Sequence, residues 1–285
     1  MRIKATIVVQ ALALVLFAAC EQPGEIQVRE EADGVFVTSL VTTDTTFGMS
    51  PIDTTALLPG DELDFTGSLT VNNVRFDAGQ GVQSISFARV FVGDDTRPVG
   101  GPGGTIGYHG FHLGAVQLNG VPMIERLHRL PGIAPVTHAG FEYITGPFFG
   151  YSPGLEYTWS GDSIGGLDLS IEAPEIISVE KPAGGSVVEA DKPMILQWTS
   201  EGDVVIIVSR IVRFGVVRPM LSLRPLKNGH AVVSQNVLEL LPRNQFYILT
   251  FIRANREEVA VQRQIIRGTL LLQAASVYNT VIQLR

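Results

Sequence analysis

The chain reads as all-β, and three observations carry that reading. Short runs of Val, Ile, Thr and aromatic residues alternate with polar residues at period two. The sequence has 30 glycines and 16 prolines to punctuate those runs, while charged residues are held to 17%. Helical periodicity is nearly absent: in the body of the chain only Pro122 to Leu130 suggests a short helix, stopped by Pro131-Gly132. The expected architecture is two β-sandwich domains in tandem, residues 34–172 and 173–285, preceded by a helical signal peptide over residues 1–19 and a flexible tether over 20–33.

The signal peptide comes first along the chain. Arg2 and Lys4 give a cationic start, Ala5 to Phe17 is apolar apart from Thr6 and Gln10, and Phe17-Ala18-Ala19-Cys20 closes it. Charge, apolar core and small-residue cleavage site in that order mark a secretory signal. The apolar run falls short of the ~20 residues a transmembrane helix needs. Ending as it does on Cys20, the segment resembles a bacterial lipoprotein signal. That resemblance implies that the Cys20 thiol is lipidated and becomes the first residue of the mature chain. It implies a bacterial cell envelope protein whose membrane partner is reached through its N-terminal lipid. An aspartate after the cysteine would imply inner-membrane retention; Glu21 stands there, which points to the outer membrane. With Cys20 the one cysteine in the sequence, no disulfide can form within the chain, so the apolar core must hold the fold.

The tether, Glu21 to Asp33, is polar and contains Pro23-Gly24. Val35 to Leu40 is the first expected strand, buried on more than one face. Thr42 to Thr55 reads as a loop, and Leu57-Leu58-Pro59-Gly60-Asp61 as a turn. Asp64 to Val71 alternates Phe65, Gly67 and Leu69 against Thr66, Ser68 and Thr70. Gln83 to Val92 alternates again, with Ile85, Phe87 and Arg89 on one side. Gly93 to Gly107 is dense in glycine and proline and reads as a surface loop; it lacks the G-x-x-x-x-G-K-[ST] spacing of a phosphate loop. Asn119-Gly120 sits between Ala115 to Leu118 and Val121 to Met123 as a type I′ hairpin turn. Phe141 to Tyr143, Leu155 to Trp159 and Leu167 to Ile171 complete the first half.

In the second half, strands are expected at Glu175 to Val179, Val187-Val188, Met194 to Trp198 and Val204 to Val208. The run Pro182-x-x-Gly185-x-Val187, then Pro193-x-x-Leu196-x-Trp198, then Gly202-Asp203-Val204-x-Ile206 resembles the opening of immunoglobulin-like or fibronectin-type-III-like sandwich domains. Asn228-Gly229, Val232-Val233, Val237-Leu238, Leu241-Pro242 and Ile248 to Arg253 resemble the end of such a module. The resemblance implies that Trp198 packs between two sheets. Asn255-Arg256-Glu257-Glu258 is expected to link two terminal strands.

Charge divides unevenly. Residues 20–172 carry 6 Lys+Arg against 19 Asp+Glu, a net of −13; residues 173–285 carry 13 against 9, a net of +4. Two solvated surfaces account for this. The basic half also suits contact with the acidic half or with anionic lipid headgroups. Scattered arginines and an exported compartment exclude nucleic acid as a partner.

Chemistry-bearing residues are sparse. Four histidines, His109, His112, His128 and His138, lie close together in sequence, with Glu125 three residues before His128 and His230 far off. Zinc takes such ligands, so these five residues are metal candidates, with surface or hydrogen-bonded loop positions the simpler expectation. A strand offset of three would put His109 and His112 on opposite faces; Glu125 and His128 would share a face only on a helix. Asp61-Glu62-Asp64 and Asp94-Asp95 are carboxylate groups suited to turns. No G-x-S-x-G elbow is present and the sole cysteine is assigned to lipid, so neither serine nor cysteine nucleophilic catalysis is indicated. Gly146 to Gly154 places Phe148, Phe149 and Tyr151 in a Gly/Pro loop; they are candidate ligand contacts if exposed, and core caps if not.

These readings favour a lipid-anchored, exported envelope protein with a binding, adhesion or scaffolding role, no cofactor and no catalysis. The ligand would be a protein or a glycan. The competing expectation is a carbohydrate-active or metal-assisted hydrolase built on the first sandwich. A third is an envelope subunit that assembles by strand addition at a sheet edge.

Overall fold

A computed structural model describes residues 30–32, 35–39, 65–101, 104–129, 138–146, 148–164, 167, 169–212, 217–262 and 266–285. The signal peptide, Cys20, the loop at Thr42 to Thr55, the turn at Leu57 to Asp61 and the Asp61-Glu62-Asp64 group lie outside the described residues.

The fold is all-β. A 12-stranded sheet runs in the order β1 (Glu30–Ala32), β2 (Val35–Ser39), β16 (Val217–Pro225), β15 (Val205–Ile211), β18 (Gln245–Gln262), β19 (Arg267–Leu284), β3 (Gly67–Asp77), β4 (Val82–Gly101), β5 (Gly104–Gly110), β9 (His138–Ile144) and β8 (Ile124–Arg129), with β13 (Ser186–Val188) attached in parallel to β19. A 4-stranded sheet, β11 (Ser170–Glu172), β10 (Glu156–Gly161), β6 (Val116–Leu118) and β7 (Val121–Pro122), lies over one part of it. A 3-stranded sheet, β12 (Ser178–Lys181), β14 (Met194–Thr199) and β17 (His230–Val233), lies over another. One short helix, α1 (Gln235–Glu239), is present among the described residues. None of their helices is long and apolar enough to cross a membrane.

Period-two alternation explains the layers. Along β19, Leu270, Leu272 and Ala274 face the small 4-stranded sheet, and Tyr278, Ile282 and Leu284 face the 3-stranded one. One strand therefore feeds two cores. The first joins Leu69, Val71, Val90 and Val92 to Leu118, Tyr157, Trp159 and Ile171. The second joins Ile206, Leu221, Leu249 and Phe251 to Leu196, Trp198, Ala231 and Val233. The opposite face of the main sheet holds a smaller buried cluster, Val74, Ile207, Ile252, Ala275 and Val277.

Trp198 is 3% exposed and its ring lies 5.8 Å from that of Phe251. Asn119 (φ 48°) and Gly120 (φ 76°) form the expected hairpin turn, both in the left-handed region that Asn and Gly tolerate.

Several expectations need correction. The described part of Pro122 to Leu130, which ends at Arg129, is no helix: β7 and β8 occupy it, and β8 pairs with β9 along its length. Cross-strand bonding outweighs a local pattern too short to nucleate a helix. The described residues of Gly93 to Gly107 are not a free loop, because β4 and β5 extend into the segment with an irregular register around Pro98 and Gly100. Asn255 to Glu258 lie inside β18, not between strands. Glu30–Ala32, expected in the tether, form β1. β2 is buried on one face only: Val35 and Val37 are inside, and Phe36 is exposed.

The expected boundary at 172/173 falls between β11 and β12, but the main sheet crosses it. β19 pairs in parallel with β3 from Gly67 to Asp77. Val35 and Val37, near the N-terminus, belong to the core of the C-terminal half.

Candidate functional site

The densest polar chemistry among the described residues lies on the β8–β9 ribbon. Residues at alternate positions point to opposite faces, and β8 pairs Glu125 with Tyr143 and Arg126 with Glu142. Each face carries its own constellation.

On the face turned to the first core, the Tyr143 hydroxyl donates to Glu125 Oε2 at 2.8 Å, and His112 Nδ1 meets the same oxygen at 2.6 Å. The Leu113 amide donates to the Tyr143 hydroxyl at 2.7 Å, which pins the segment after β5 against β9. Gly110 and Gly140 make that approach feasible. Gly140 has φ 76°, and a Cβ on either residue would overlap the opposing backbone. Phe141 packs edge-on against His112 at 5.4 Å. Burial first, then the bond to Glu125, pushes the Tyr143 phenol up to about 12. A carboxylate on Nδ1 fixes the proton there, so the neutral ring keeps its Nε2 lone pair. The imidazole is 63% exposed. Such a pair can accept a proton or offer one nitrogen to a metal.

On the other face, Glu142 accepts from Arg89 Nε through Oε2 and from Arg126 Nε through Oε1, each at 2.7 Å. His128 Nδ1 lies 3.3 Å from both Glu142 Oε2 and Arg89 Nη2. A protonated Nδ1 bonds the carboxylate, and a bare one accepts from the guanidinium. Phe91 packs on His128 at 4.4 Å and under Arg89 at 5.6 Å. Burial raises the Glu142 pKa, but His128 and the two guanidiniums outweigh it and hold the carboxyl at about 2.

The candidate metal set does not assemble. His112 and Glu125 meet, while His128 sits buried on the opposite face with Glu142. His109 is in β5 opposite Asp94, and His138 opens β9 opposite Arg129. His230 opens β17 in the other half. No group of three or more metal-type side chains occurs among the described residues. Glu125 and His128 diverge because their segment is strand.

The aromatic trio separates. Phe149 and Tyr151 pack on the first core, near the Tyr157 ring at 5.8 and 6.3 Å. The Tyr151 hydroxyl donates to the Pro174 carbonyl at 2.8 Å. Phe148 is 100% exposed on a turn closed by the Phe149 amide donating to Gly146 O at 3.2 Å. Val121 and Ile124 are exposed too, and Ile124 lies beside Gly146.

Sequence reasoning missed Tyr143, Arg89, Arg126 and Glu142 as site residues. Strand alternation places Glu125 and Tyr143 each on some face, but only the register makes it the same face. Comparison with known families, with curated proteins and with solved structures finds no match.

Proposed function

We propose that this chain is a lipid-anchored exported protein of the bacterial cell envelope, held in the outer membrane through Cys20, with a non-catalytic binding, adhesion or scaffolding role. The observation that carries the binding role is the turn at Phe148. Its neighbours Phe149 and Tyr151 are packed on the core while Phe148 itself is fully exposed. A large apolar ring held out by a fixed turn, beside exposed Val121 and Ile124, is contact surface for a protein or a glycan. The anchor is supported by Ala18-Ala19-Cys20 at the end of the apolar run. The immunoglobulin-like reading of the second half is supported by Trp198, buried between the 3-stranded sheet and β18.

Expression of the full chain in a bacterium fed an alkyne fatty acid tests the anchor. Wild type should be labelled and sediment with membranes, and Cys20→Ala should be left as an unlabelled precursor; an unlabelled wild type rejects it.

The hydrolase reading keeps one observation in its favour: His112 oriented by Glu125 at 2.6 Å. Turnover of chromogenic glycosides or esters by wild type, lost in His112→Gln, would establish it in place of the binding role.

A further inference from the structure

The two edges of the main sheet differ. β1, at one edge, is three residues long and carries Glu30 and Glu31. β8, at the other, is six residues long and pairs only with β9 among the described residues. Ile124 is 51% and Leu127 50% exposed, one on each face of that edge. Charged side chains normally guard such edges. Here two of the charged residues are drawn back onto their own sheet: Glu125 is held by His112 and Tyr143, and Arg126 by Glu142. Among the described residues, the outer side of β8 is strand backbone without a partner strand, flanked by exposed Ile124 and Leu127, with Phe148 close by through Gly146 and Ile124.

We propose that β8 is a docking edge for an extended polypeptide segment, which adds to the sheet as a further strand. Backbone amides and carbonyls of β8 supply the hydrogen bonds, and the flanking side chains set the sequence. On the Arg126 face, Arg89 and Arg126 share the single Glu142 carboxylate, leaving one positive charge in excess. The incoming strand therefore presents an acidic residue beside Arg126 and apolar residues beside Ile124, Leu127 and Phe148. This inference names the partner class of the binding role proposed above. If Cys20 is the anchor, its placement fits as well. Ten residues from Cys20 to Glu30 span at most ~35 Å, and they enter at β1. β8 lies across the whole sheet from there, at ~4.8 Å per strand.

The test uses the full chain in detergent and fluorescein-labelled short peptides that place Val beside Ile124 and Leu127 and Asp or Thr beside Arg126, read by anisotropy. Saturable binding is expected. It should vanish when alternate peptide amides are N-methylated, and weaken at least about tenfold in Phe148→Ser/Ile124→Thr, with the thermal midpoint unchanged. Three results would overturn the proposal. They are no saturable binding by any peptide of the set, binding indifferent to N-methylation, or loss in the double variant of attachment to phospholipid vesicles or of self-association instead. Cys20 labelling reports separately on the anchor, so peptide binding can fail while the anchor stands.

Discussion

The Asp77 carboxylate accepts the Gly184 amide at 3.1 Å across a separation of 107 residues. Its other oxygen takes the Gly79 amide at 2.8 Å. One side chain thus ties the β3–β4 turn to the turn between β12 and β13. A Cβ at Gly184 would overlap that carboxylate and come within 2.7 Å of the Asp77 carbonyl oxygen. Gly184→Ala should cost ~1–3 kcal/mol through overpacking. Asp77→Ala should cost ~1–2 kcal/mol through lost acceptors. Urea midpoints measure both, and an unchanged midpoint for Gly184→Ala would show that the two turns do not meet.

Gly140→Ala should be the more damaging glycine change. It combines a left-handed φ of 76° with overlap on Gly110, for about 2–4 kcal/mol. Because this crossing positions the segment after β5, His112 should also leave Phe141. The ring-current shift of the His112 protons in NMR would fall.

Glu142 makes stability depend on acid. Its carboxyl is held at about 2, below the ordinary carboxylate value of 4.5. The stabilisation is therefore complete above the unfolded value and lost as pH falls from 4.5 towards 2. Arg126 is half exposed, so solvent screening limits the effect to roughly 1–2 kcal/mol. Urea unfolding at a series of pH values should show a steeper loss in wild type than in Glu142→Gln across that window. Parallel curves would mean that the Arg89 and Arg126 contacts contribute nothing in solution.

Trp198→Ala should destabilise by ~3–5 kcal/mol, since its indole is enclosed against Phe251. Tryptophan fluorescence adds a check: acrylamide should quench Trp198 poorly in a Trp159→Phe background.

Phe149→Ser and Tyr151→Ser should each lower stability by ~1–3 kcal/mol, because both rings are partly buried on the first core. Phe148→Ser should leave the thermal midpoint unchanged. Equal losses at all three positions would place Phe148 against the core.

The all-β class was legible because alternation and turn chemistry are local. Asn119-Gly120 set its own turn, and the inward packing of Trp198 was implied by the resemblance of its surroundings to a sandwich domain. Long-range register was not legible. Nothing in Leu270 to Tyr278 announces that this strand pairs in parallel with Gly67 to Arg75. Likewise, nothing near Val35 announces that it packs in the C-terminal core.

The site was half legible for the same reason. His112 and Glu125 were both marked by residue type. Their meeting depends on Gly110 crossing Gly140 and on the Leu113 amide reaching Tyr143, and both are tertiary. Arg89, Arg126 and Glu142 carry no motif. Their convergence depends on β8 bonding β9 while β9 also contacts β4 at Arg89 and Val90.

The parallel partnership of β19 with β3 joins positions ~200 residues apart in the chain. A polypeptide emerging from its N-terminus has synthesised every strand of the first core up to β11 before the strand that completes that core exists. Both cores take residues from β19: Leu270, Leu272 and Ala274 in one, Tyr278, Ile282 and Leu284 in the other. Contacts of such separation make folding slow, and both cores stay open until β19 has been made.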